Sequence, residues 1–155
     1  MEKNLLYLED NGYISKKTET YLEEDGYKVQ ACMRIDQAKK LIKELGPHNI
    51  SCIITDLNME DEWLEEFRGE SYGGLMSGWV WLIHFVYNNI EFQNIPSIIY
   101  SGYIPDLQMY LCKRKESNLL NKYNISLVKK GGNNHDGYKE LSIVLKKKLN
   151  EGEAK

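Results

Sequence analysis

The chain reads as an α/β protein, a five-stranded parallel sheet doubly wound by helices, with an extended loop between strand 3 and helix 3. Three observations predict this. Short apolar runs alternate with amphipathic helical stretches along the whole length. The run Cys52-Ile53-Ile54 is apolar at consecutive positions, as in a strand covered on both faces. The 155 residues, 42% hydrophobic and without an obvious linker, suit one domain around a single core. Residues 1–150 form that domain and 151–155 a charged tail.

The elements follow in order. Asn4 to Leu8 is the first strand, closed by Glu9-Asp10. Tyr13 to Glu24 is a helix that stops at Asp25-Gly26, where glycine suits a left-handed cap. Tyr27 to Met33 is the second strand. Asp36 to Leu45 is a second helix, with Ala38, Leu41, Ile42 and Leu45 at helical spacing and Gly46-Pro47 as its stop. Ile50 to Thr55 is the third strand. Residues 60–77, with Glu60-Asp61-Glu62, Glu65-Glu66 and three glycines, form a long acidic loop before a helix resumes at Gly78. Pro96 to Tyr100 is the fourth strand, closed by Ser101-Gly102. One long helical region from Asp106 to Lys122 leads to the fifth strand, Ile125 to Val128, and Tyr138 to Leu149 is the closing helix.

Composition excludes several classes. A net charge of -3 argues against a large nucleic-acid footprint, and Lys146-Lys147-Lys148 reads as the solvated end of a helix, favourably placed against its dipole. Cys32, Cys52 and Cys112 have neither even number nor close spacing, and His48, His84 and His135 are scattered, so neither a disulfide framework nor a zinc site is expected. The N-terminus lacks the pattern of a secretion signal, and the longest apolar stretch, Leu75 to Val86, is too short to span a bilayer. The expectation is a cytoplasmic protein with no membrane association.

Four strands end in polar residues: Glu9-Asp10, Asp56, Ser101 and Lys129. In an open parallel sheet the C-terminal strand edges form the ligand crevice, so these groups can converge. Carboxylates from two strands suit a hard cation such as Mg²⁺. A carboxylate nucleophile, a hydroxyl and an ammonium group complete what phosphoryl transfer needs.

This order resembles the receiver domain of two-component response regulators, over nearly the whole chain. The resemblance implies the flavodoxin-like receiver fold, with Asp56, in Thr55-Asp56-Leu57-Asn58-Met59, accepting a phosphoryl group from a histidine kinase or phosphotransfer protein. It implies Mg²⁺ held by Asp10, Asp56 and the backbone carbonyl of Asn58, with Glu9 helping through water. It also implies Ser101 as the switch hydroxyl and Lys129 as the invariant lysine. Since the chain ends soon after the closing helix, a stand-alone receiver is expected, one that acts by contact with an output protein and not on DNA. No turnover of an external substrate is expected.

Departures from the pattern are local. Glu60 stands where receivers commonly have proline, and the loop after Met59 carries about a dozen extra residues, with Trp63, Phe67 and Tyr72 as anchors. The usual Lys-Pro pair reads Lys129-Lys130, and Ser126 stands three residues before Lys129, where many receivers place an aromatic. Tyr103, two places after Ser101, sits where the family tunes phosphoryl loss. The alternatives are a receiver-like interaction module that no longer cycles phosphate and an aspartyl-nucleophile phosphatase, the latter disfavoured by Leu8-Glu9-Asp10-Asn11 in place of Asp-x-Asp on the first strand.

Overall fold

The computed structural model describes residues 2–59, 67–131 and 135–153. Five strands, β1 (Asn4–Leu8), β2 (Lys28–Cys32), β3 (Cys52–Thr55), β4 (Ser97–Ser101) and β5 (Ile125–Lys129), pair in parallel in the order β2-β1-β3-β4-β5. In register, Leu8 lies opposite Thr55 across β1 and β3, and Ser101 opposite Lys129 across β4 and β5. The strand ends that carry the polar residues therefore share one edge of the sheet.

Seven α-helical segments are described: α1 (Gly12–Glu24), α2 (Ile35–Leu45), α3 (Arg68–Ser71), α4 (Ser77–Trp81), α5 (Ile104–Arg114), α6 (Asn118–Lys122) and α7 (His135–Glu153). The sheet has a core on each face, because successive strand residues point to opposite sides. Leu6, Leu8, Ile53 and Ile99 pack with Ile35, Ala38 and Ile42 of α2, Trp79 and Trp81 of α4, and Leu107 and Leu111 of α5. Leu5, Tyr7, Cys52, Ile54, Ile98, Tyr100 and Val128 pack with Leu22 of α1 and Leu141 and Leu145 of α7. Local chemistry sets the helix ends. Asn11 caps α1 by accepting the Ile14 N–H at 3.1 Å, and Ile35, Ala38 and Ile42 line the buried stripe of α2.

The expected long helix from Asp106 to Lys122 is two. Lys115 adopts a left-handed conformation (φ 57°), and Glu116 N–H bonds back to the Leu111 carbonyl at 2.9 Å, closing α5 before Ser117 starts α6. The expected loop 60–77 also differs, since α3 occupies part of it; residues 60–66, including Trp63 and its acids, lie outside the described residues. Phe67 does act as an anchor, stacked on His84 at 4.7 Å and edge-on to Phe85 at 5.8 Å. Tyr72, half exposed, meets Tyr110 of α5 edge-on at 5.1 Å. Beyond Trp81 the α4 backbone continues through a wider π-helical turn, Leu82–Val86. Among the described residues no helix is long and apolar enough to cross a membrane.

Candidate functional site

The alternation of strand side chains decides which polar groups meet. Tyr7, Ile54 and Val128 all face α1 and α7. Two residues further along each chain stand Glu9, Asp56 and Lys130, so those three leave the sheet edge on the same side. Lys130 Nζ donates to Asp56 Oδ2 at 2.9 Å and also to Glu9 Oε1. Carboxylate oxygens of Glu9, Asp10 and Asp56 lie within 4.8 Å of one another. They line an open cavity of about 400 Å³ with Asn58, Tyr103 and Lys130.

Lys129, which the sequence reading put in the site, is not there. It is the last residue of β5 and shares the parity of Ile125 and Leu127, which pack on the opposite face, so it ends exposed. Lys130 takes its place, and its own N–H bonds to the Ser101 carbonyl at 3.0 Å. The position three residues before the lysine becomes Leu127 in place of Ser126, half-buried against the core and still not aromatic. The sequence carries no clear signal for Lys130, because Leu127 and Val128 are both apolar and only the packing of Val128 with α1 and α7 fixes the parity that leads to Lys130.

Glu9 is 1% exposed, and burial together with the Asp56 charge raises its pKa from the usual 4.5 to about 7, against the pull of Lys130. Burial opposes the charge on Lys130, but Asp56 and Glu9 outweigh it and leave the ammonium above its ordinary pKa. Asp56 is held by its own backbone, its Oδ1 accepting the Leu57 N–H at 2.7 Å. Asp10 is exposed, and Asn11 N–H bonds to Glu9 Oε2 at 3.3 Å.

Ser101 is fully buried at the end of β4, behind the cavity wall, with Oγ accepting the Tyr103 N–H at 3.1 Å. It shares the parity of Ile99 and so leaves the sheet on the face opposite Asp56. Tyr103, 41% exposed, stands in the cavity wall. The close fit of α4 against the phosphoacceptor candidate depends on Gly78. A Cβ there would run into the Asp56 carbonyl oxygen and lie 2.9 Å from its carbon, which is why glycine stands in the first turn of this helix.

The carboxylates of Glu9, Asp10 and Asp56 are hard oxygen donors close enough together to hold a metal ion, a donor set that suits a hard divalent cation such as Mg²⁺, and Asn58 lines the same cavity. The two buried cysteines offer no competing chemistry: burial pushes the Cys32 and Cys52 thiols up to about 11 and about 12.

The sequence matches no family model and no curated protein. The fold, however, is that of response regulator receiver domains. The chain is similar to the chemotaxis protein CheY4 of Vibrio cholerae (TM-score 0.67, 15% identity, 96% of this chain and 100% of that one). It is similar to the signal receiver domain of an HD domain-containing protein from Pseudomonas fluorescens (0.65, 14%, 100% of each). A receiver domain protein from Clostridium thermocellum matches at 0.61 with 18% identity, over 98% of each chain.

Proposed function

We propose that this chain is a phosphoacceptor receiver in which Asp56 takes a phosphoryl group from a phosphohistidine donor and thereby switches a protein contact. The observation that carries this reading is the convergence of Glu9, Asp10, Asp56 and Lys130 in one open cavity at the C-terminal edge of the sheet.

The chemistry follows from these groups. An Asp56 carboxylate oxygen attacks phosphorus as the donor's P–N bond breaks, and the imidazole leaves with the electron pair and takes up a proton. Lys130, already 2.9 Å from Asp56, neutralises charge on the transferred group. Asp10, Asp56 and the Asn58 carbonyl would hold Mg²⁺, with Glu9 beside them, and the cation supplies charge neutralisation at the phosphoryl oxygens. Ser101 supplies the hydroxyl that meets the new phosphoryl group, but it has to leave the Tyr103 N–H and turn inward to do so. That rearrangement couples the site to the start of α5, and a partner that favours one arrangement reads the state.

Incubation with acetyl phosphate, or titration with beryllofluoride, in the presence of Mg²⁺ tests the reading. Labelling should appear by mass spectrometry on Asp56 and vanish in Asp56→Asn. Equal labelling of Asp56→Asn refutes the assigned nucleophile. A chain inert to both reagents is instead an interaction module that no longer cycles phosphate.

A further inference from the structure

The connection between β3 and α4 is long, yet its two ends meet directly beside Asn58. On one side of Asn58 the Leu57 carbonyl accepts the Gly78 N–H at 2.9 Å. On the other, the Met59 N–H donates to the Gly74 carbonyl at 3.2 Å. The Ser77 hydroxyl stands 2.9 Å from the Met59 carbonyl and 2.8 Å from the Gly74 carbonyl, sharing its proton between them. Ser77 is 1% exposed and Met59 2%, so water does not compete for these groups. Gly74, at φ +106°, brings its Cα so near that a Cβ would lie 3.0 Å from the Met59 oxygen.

The Met59 N–H belongs to the same planar peptide unit as the Asn58 carbonyl, and the Leu57 and Met59 carbonyls to the units on either side, so these bonds immobilise the one cation donor of the proposed site that has no side chain to steer it. We propose that Ser77 is a positioning residue for cation binding: its hydroxyl, acting through Met59, fixes the backbone carbonyl of Asn58 relative to Asp10 and Asp56. The staple also makes that geometry independent of the length of the connection between Met59 and Gly74, so extra residues there leave the cation loop intact. Groups behind the direct ligands of a metal commonly set its affinity by holding those ligands in place. The inference rests on the receiver reading above.

The test is Mg²⁺ titration of the whole chain by calorimetry, beside acetyl phosphate labelling as a function of Mg²⁺, for wild type, Ser77→Ala and Ser77→Thr. Asp10→Asn serves as the site control. Ser77→Ala should weaken Mg²⁺ binding about tenfold or more. It should raise the Mg²⁺ needed for half-maximal labelling while leaving the rate at saturating Mg²⁺ unchanged, and Ser77→Thr should restore affinity. Unchanged affinity in Ser77→Ala, or a loss confined to the saturated rate, overturns the inference and leaves the receiver reading standing. Wild type that binds no Mg²⁺ refutes the cation site itself. Should the alanine form fail to fold, Ser77→Cys, which keeps the packing but donates weakly, makes the same comparison with the same expected loss.

Discussion

Replacing Glu9 by glutamine should make the cation-free protein more stable at alkaline pH and leave it unchanged in acid. Glu9 is buried beside Asp56, and its pKa stands at about 7 against the usual 4.5. The folded state therefore holds the Glu9 proton more tightly than the unfolded chain does. The stability this contributes is fully present below about pH 4.5 and is lost as pH rises through about 7. About 2.5 pKa units at about 1.36 kcal/mol each come to about 3 kcal/mol. With a side chain 1% exposed, solvent screening removes little of it. Urea unfolding followed by tryptophan fluorescence, with chelator present, should give equal midpoints for wild type and Glu9→Gln near pH 4.5. At pH 8 the variant should be the more stable by about 3 kcal/mol. If both proteins lose the same stability between those pH values, the carboxylate pair is not coupled as described.

Lys130→Ala should cut Asp56 labelling by about two orders of magnitude, as loss of a preorganised cation does, whereas Lys129→Ala should label like wild type; rates with acetyl phosphate measure both. Gly78→Ala forces a methyl group against the Asp56 carbonyl, and should destabilise the protein by about 3 kcal/mol or more, read from its urea midpoint. Tyr103→Ala opens the wall beside Asp56 to water, so the phosphorylated form should decay faster than wild type; an unchanged or longer lifetime would show that the ring does not shield it.

Much of the fold was legible because its signals are local. Consecutive apolar residues marked β3, helical spacing marked α2, and the observed β1 runs from Asn4 to Leu8 as the pattern predicts. Two elements departed from the local pattern for different reasons. No glycine or proline announces the break between α5 and α6, which is made by a left-handed lysine at position 115. The α3 turn is held by contacts from Phe67 and Glu70 to the π-helical turn after α4 and from Tyr72 to α5, including a 2.8 Å bond between Glu70 and His84.

For the site, residue type and strand order determined that acids, a hydroxyl and a lysine would gather at one sheet edge, because parallel strands bring their C-terminal ends together. Two things needed the tertiary structure. One is which lysine of the pair Lys129-Lys130 enters, since a single residue of register sends neighbouring side chains to opposite faces, and only the packing of Val128 against α7 says which face is which. The other is the closure of the long connection by Ser77, Gly74 and Gly78 onto residues 57 and 59. Hydrogen bonds spanning 15 to 21 residues leave no periodic trace in the sequence, yet they hold the backbone beside Asp56 in place.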